Sequence, residues 1–376
     1  MKTLHGEFEF ELQKYLRDGK SVSYFDLTEQ MSNGYMSVRL QELSSYYSNR
    51  MSYEEVAKLV ERVTGSALLS DQTIWQIVNT KAIEVSERLR AEVETTLSSP
   101  VPIPKVNATV DIYDQSLNEI LIFEDGIQVK QQKEKRVRRS QQETGLEVEP
   151  IAASKRPRVN TDIILLQQTS GAFAYLSAPI DEAGQDCVSL AKVVQAGLIE
   201  AYGQTKEPLN LVMISDGAKT IRLRVVEIFG RAITLILDWY HLSKKVRELM
   251  SMIACNKVEK SQHVRELFRV LWRGQVQTAV AYLKNQVPSK NAEKLAELVG
   301  YLQKHEHEII DYERRQHVGK TIGSGRVEKA VDQVIGHRQK QKGSSWRTKG
   351  SKALAILRML ELNGQWKQAW FPVQAT

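Results

Sequence analysis

The stretch LVMISDGAKT, residues 211–220, decides how this chain is read. Residues 210–215 (NLVMIS) form a buried-type strand, Asp216 closes it, Gly217 permits a tight turn, and a helix is predicted over 217–229. In an open α/β sheet, ligands meet the protein beyond the carboxyl ends of the strands, where Asp216 stands. Asp is also a favoured helix N-cap, so the unit alone indicates a fold more firmly than a site.

Working outward, strand patterns fall at 119–129, 162–168, 172–179 and 232–239, with a helix at 186–202. Reversing strands first, then alternating helix and strand, describe a mixed α/β sheet flanked by helices. From His241 to about His317 the period is helical (Leu242, Val246, Leu249, Ile253), which reads as an all-α insertion. Two further helices are expected at about 324–340 and 349–363. Upstream, Pro100, Pro102 and Pro104 mark an extended linker. Residues 4–12 alternate like a strand or hairpin arm. Ser52 and Glu55 have capping-box spacing, Gly65 reads as a stop, and a second short helix starts near Ser70. Two short helices joined by a turn are helix-turn-helix-like, and on that reading Gln72, Thr73, Gln76 and Asn79 face a DNA groove. The expected organisation is a DNA-binding domain at 1–100, a catalytic domain at 105–240 and 319–376, and the helical insertion at 241–318.

The 376 residues carry 52 Lys and Arg against 45 acids, a net charge of +7, which suits a polyanionic partner. No apolar run approaches the roughly 18–20 residues that span a bilayer, so no membrane partner is expected. Only Cys187 and Cys255 occur, which argues against a disulfide framework or a structural zinc and fits a reducing cytoplasm. The run KQQKEKRVRR at 130–139 is strongly basic and reads as a loop along a DNA backbone.

Two more carboxylates join Asp216 as candidate ligands. Asp125 lies in ILIFEDGIQV (120–129), where Asp-Gly equally signals a hairpin turn, and Asp111 and Asp114 compete for its role. Glu328 lies in TIGSGRVEKAV (321–331), in the first turn of a helix with a sharply defined start. Three such acids, brought together, supply oxygens for two divalent cations and phosphodiester chemistry. Asp238 and His241 close the last strand and are placed to position one another or to lend a supporting group. His305 and His307, two apart, do not share a helix face, so no zinc site is expected there.

DGAK, DWYH and GSGRVE in that order, with the basic HRQKQKGSSW and the stretch from Leu354 to Trp366, resemble DDE-type insertion-sequence transposases of the Kra type, relatives of Mutator-like elements. The resemblance implies a ribonuclease-H-like catalytic domain with a helical insertion before its glutamate. It implies Asp125, Asp216 and Glu328 as catalytic ligands of Mg²⁺, with Mn²⁺ tolerated, and Asp238 and His241 as the accessory acid-x-x-His pair. The partners implied are double-stranded DNA, as element ends and target, bound by a homo-oligomer associated with the nucleoid. Arg326, Lys329, Arg338, Lys340 and Lys342 are the expected phosphate contacts. The cysteine-rich segment of many relatives is missing here, so zinc-assisted binding is not expected. A ribonuclease-H-like nuclease without strand transfer, and an inactive DNA-binding derivative, are the alternatives.

Overall fold

The computed structural model describes residues 1–9, 11, 13–23, 31–32, 35–133, 157–230 and 233–372. The amino-terminal part contains short strands: β1 (Lys2–Thr3), β2 (Gly6–Glu7), β3 (Lys14–Arg17), β4 (Lys20–Ser23), β5 (Met31–Ser32) and β6 (Met36–Ser37). Of the strand or hairpin arm expected over 4–12, Gly6–Glu7 form β2, the second arm of a tight hairpin in which β1 turns at Leu4 and His5, while residues 10 and 12 lie outside the described residues. Three helices follow: α1 (Val38–Ser48), α2 (Tyr53–Thr64) and α3 (Asp71–Ser98). Ser52 and Glu55 close the reciprocal capping box at the start of α2, and Gly65 ends that helix at φ +73°. The second helix of the expected pair is not short. It runs for 28 residues, roughly 42 Å at 1.5 Å per residue, because no Gly or Pro interrupts the chain until Pro100.

The central sheet has five strands: β7 (Ile120–Lys130), β8 (Arg158–Gln167), β9 (Phe173–Leu176), β10 (Leu211–Ser215) and β11 (Thr234–Leu237). Their order is β11-β10-β7-β8-β9. The first three are parallel, while β8 runs antiparallel to both β7 and β9. β8 starts four residues before the predicted strand. Helices α4 (Leu190–Tyr202) and α5 (Lys219–Phe229) provide the crossovers around β10.

Alternation along β7 divides the core into two sides. Ile122 packs with Ile164, Leu166, Leu211 and Met213 against Val194 and Leu198 of α4 and Ile221 and Val225 of α5. Phe123, Ile127 and Val129 belong to the other side, with Val212, Ile214 and Ile236. That side is covered by the remaining helices, except that the far end of α3 (Leu89, Val93 and Leu97) packs on the α4–α5 side. The covered side includes Leu40, Val56, Ile74 and Val78 of the first three helices, so Pro100–Pro104 marks a change of element without a break in the core.

Between β11 and the final helices lie α6 (Trp239–Ile253), α7 (Lys257–Leu271), α8 (Val276–Gln286), α9 (Ala292–Lys304) and α10 (Tyr312–His317). Helix α11 (Gly325–Val331) runs through one wide π turn, Asp332–Gly336, into α12 (His337–Gln339). Helices α13 (Thr348–Leu362) and α14 (Trp366–Trp370) finish the chain. No helix among the described residues is long and apolar enough to cross a membrane.

A buried ion cluster ties the helical block back to the sheet. Arg315 of α10 is fully buried, and its guanidinium donates to both oxygens of Glu119 at 2.9 and 2.7 Å. It donates further to the carbonyls of Ile112 and Thr321, at 2.9 and 2.8 Å. Lys320 adds a contact of 2.8 Å to the same carboxylate. Removing one member of such a cluster leaves an uncompensated buried charge. Arg315→Leu is expected to lower unfolding free energy by roughly 3–5 kcal/mol in urea melts, and a loss below about 1 kcal/mol would show the cluster to be ornamental.

Candidate metal centre

Asp125 sits inside β7, paired with Ile163 of β8, so its Asp-Gly pair is not a hairpin turn. β7 and β10 are in register through Ser215 and Glu124, and Phe123 pairs with Ile214. One step further along, Asp216 comes beside Asp125 on adjacent parallel strands, whose spacing is about 4.8 Å. Both acids therefore share the side of the sheet lined by Phe123 and Ile214. Asp216 Oδ1 accepts from the Ala218 amide at 2.8 Å. Ala218, not Asp216, is the N-cap of α5, so Asp216 is not the helix cap its sequence setting also allowed. Gly217 adopts φ +77°, and a Cβ there would lie 2.6 Å from the His305 ring. Both facts require glycine at this position.

Asp238 follows β11 and caps α6. It is completely buried. Its amide donates to Ser215 O at 2.8 Å, which fixes it to the end of β10. Its Oδ1 accepts from the Tyr240 amide at 2.9 Å, and its Oδ2 meets His241 Nδ1 at 2.8 Å. The same Oδ2 accepts from the Ser324 hydroxyl. Ser324 precedes α11, and the Glu328 amide donates to its carbonyl at 3.1 Å. Ligand atoms of Asp238, His241 and Glu328 lie within 4.8 Å of one another.

The electrostatics join the two halves. Burial pushes the Asp125 carboxyl above its ordinary range, and the charges of Asp216 and Glu328 add to this, against the Gly126 amide and His241. His241 is raised, first by its bond to Asp238 and then by the charges of Asp238, Asp216 and Asp125, with burial opposing. Burial also acts to raise Asp238, but bonds from His241, Ser324 and Tyr240 outweigh it and hold the carboxyl low. Asp125, Asp216, Asp238, His241 and Glu328 thus form one electrostatically linked group at this end of the sheet, within which Asp238, His241 and Glu328 bring ligand atoms within 4.8 Å of one another. Asp111 and Asp114 are not in it; they accept from the amides of Tyr113 and Ser116 in the turns before β7.

Behind Gly217 stands a group that sequence reading passed over. His305 is buried and its Nδ1 lies 2.7 Å from Arg222 and 2.6 Å from Glu308, while Arg222 clasps Glu308 at 2.6 and 2.8 Å. The Tyr301 ring lies 4.7 Å from that of His305. Burial raises the Tyr301 phenol, and the charge of Asp216 adds to it. Spacings of four and three residues, Tyr301 to His305 to Glu308, are the one-sided pattern that could have disclosed this group. His307 is exposed, apart from it.

The expected DNA contacts divide. Gln72, Gln76, Arg326, Lys329, Lys340 and Lys342 are exposed. Thr73 is half-buried, with its hydroxyl 2.8 Å from that of Ser70. Asn79 points inward, contrary to expectation, and its amide donates to Trp75 O at 2.7 Å. Arg338 is likewise corrected: it is 7% exposed, its Nε donates to Ser48 O at 2.9 Å, and its guanidinium faces the rings of Tyr53 and Trp346. Of the basic run, Lys130 and Lys133 are exposed, and residues 134–139 lie outside the described residues.

Residues 191–371 match the model of an uncharacterised protein family (UPF0236), which includes Asp216, Asp238, His241 and Glu328 and leaves Asp125 outside. No curated protein matches the chain.

The raised His241 pKa has a consequence for stability. Its pairing with Asp238 stabilises the fold fully below pH 6.5, the ordinary histidine value, and is lost as pH rises through the higher folded value. The depressed Asp238 acts only in acid, near and below 3.8. In metal-free buffer the thermal midpoint should therefore fall as pH is raised from about 6 upward, and His241→Gln should flatten that slope; an unchanged slope in the variant would detach His241 from it.

Proposed function

We propose that this chain is a metal-dependent DNA strand-cleaving and strand-joining enzyme, a DDE-type transposase acting on double-stranded DNA. The observation that carries the reading is the placing of Asp125 beside Asp216 on adjacent strands, with the charges of Asp216 and Glu328 felt at Asp125, next to the close group of Asp238, His241 and Glu328. Three adjacent parallel strands, followed on one side by the reversed β8 and by β9, which returns to the direction of the first three, support a ribonuclease-H-like reading of the sheet.

The donor set suits hard divalent cations. Carboxylate oxygens dominate, as Mg²⁺ or Mn²⁺ prefer. Burial raises Asp125 first and the charges of Asp216 and Glu328 add to it; a cation bound there would offset both. Bound there, divalent cations would supply an activated water or 3′-hydroxyl and stabilise the leaving 3′-oxygen. Asp125, Asp216 and Glu328 would hold them. Asp238 already has three hydrogen bonds to its carboxylate and so serves better to orient His241 and the start of α11 than as a ligand. Exposed Arg326 and Lys329 flank Glu328 in sequence and are placed to meet phosphates.

On the element's own ends, Asp216→Asn should lose cleavage by on the order of 10³-fold or more, because a metal contributes several kcal/mol to the transition state. Asp111→Asn, outside the cluster, should cut at the wild-type rate. Millimolar Mn²⁺ should raise the thermal midpoint of the wild type and not of Asp216→Asn. Wild-type cleavage by Asp216→Asn would remove the mechanism. Cleaved but unjoined products would reduce the activity to that of a nuclease.

A further inference from the structure

A second candidate site lies beyond the far end of β7. A cavity of about 450 Å³ opens between the starts of α2 and α3, the segment 338–350 and the exit of β7. Its walls include Tyr53, Gln72, Trp75, Arg338, Trp346 and Arg347. The aromatic side is rigidly built. The Trp346 amide donates to Lys130 O at 2.9 Å, and the Gln132 amide donates to Trp346 O at 2.9 Å. Trp346 Nε1 donates to Gln339 O at 3.0 Å, and the Arg338 guanidinium lies 4.8 Å from the ring centre.

The Tyr53 hydroxyl is buried with no hydrogen-bond partner among the described residues. Burial pushes its pKa up to about 12, so it stays a neutral donor and acceptor at working pH. With no accessible surface, that hydroxyl lies behind the cavity wall and is not itself a contact for a ligand. The acids at the rim are already engaged: Glu54 with Lys58 at 2.6 Å, and Asp71 Oδ1 with the Gln72 amide at 2.8 Å. Lys133, Lys340, Lys342 and Arg347 are exposed on the segments that form or adjoin the opening.

Half-buried indoles, an exposed amide and neighbouring cations suit a base out of the duplex better than a duplex face. Asp125 and Gln131, which bridges to Trp346, are six residues apart along β7 and its exit, or about 20 Å. That is about six nucleotide steps along a strand. We propose that the cavity takes one unpaired base of the DNA substrate, against Trp75 and Trp346, with the Gln72 amide bonding its edge. The proposal rests on the DNA reading above and adds where an unpaired nucleotide is held.

The test uses the whole protein in EDTA. The probe is a duplex with a three-nucleotide overhang carrying 2-aminopurine, compared with the blunt duplex. Wild type should prefer the overhang about tenfold, with 2-aminopurine fluorescence quenched on binding. Trp75→Leu should reduce the preference several-fold. Gln72→Ala should do the same without lowering the thermal midpoint, since the side chain is exposed on the cavity wall; this separates lost binding from lost folding. Equal binding of both duplexes by wild type, or a preference that survives in both folded variants, overturns the proposal. Asp216→Asn should keep the preference. Overhang preference without any wild-type cleavage would sink the catalytic reading and support the pocket, whereas cleavage without preference would do the reverse.

Discussion

The fully buried Asp238 carboxylate is the constraint on which the candidate site depends. A charge with no access to water is tolerated only when it is thoroughly paired and hydrogen-bonded. Here its partners come from separate elements: the Tyr240 amide and His241 ring from the start of α6, and the Ser324 hydroxyl from the start of α11. Its own amide is held by the last residue of β10. The sheet edge, the start of the insertion and the glutamate helix are therefore not free to settle independently. Glu328, one turn beyond Ser324, acquires its position from this junction, although about ninety residues of chain separate it from β11.

The sheet adds a second constraint, the alternation of side chains. Glu124 and Asp125 are neighbours with opposite environments. Glu124 is buried on the α4–α5 side, ion-paired with Arg224, which also reaches Asp162 at 2.9 Å. Asp125 lies on the other side, among acids. A slip of one residue in β7 would exchange the two and place the wrong carboxylate at the edge. Nine consecutive pairs between β7 and β8 hold the register against that slip.

Much of this could be read from residue patterns, because the relevant signals are local. An apolar run ending in Asp-Gly reports a strand and its turn; β10 and α5 fall within two residues of the positions read from it. Spacing alone brought Ser52 and Glu55 together. What could not be read was direction in space. Asn79 and Arg338 are polar and were taken for surface groups, but each finds a backbone carbonyl inside, Trp75 O and Ser48 O. No local rule announces such a partner. His305 is a similar case, since its role follows from the approach of a helix block to Gly217, and that contact exists only in three dimensions. The choice of Asp125 over Asp111 and Asp114 was likewise open until strand pairing placed one of them beside Asp216.

The wide turn at Asp332–Gly336 carries a further implication. An extra residue in one helical turn advances the phase of everything after it by about 100°. Before the turn, Val327 and Val331 are buried in the core beside the sheet; after it, Arg338 reaches Ser48 and Gln339 reaches Ser351. A single rod thus addresses two directions at once. Loss of one residue here would leave nearly every other residue unaltered, yet it would swing one end out of alignment with its surroundings. The spacing between the acid and the arginine is therefore as much a part of the design as their identities.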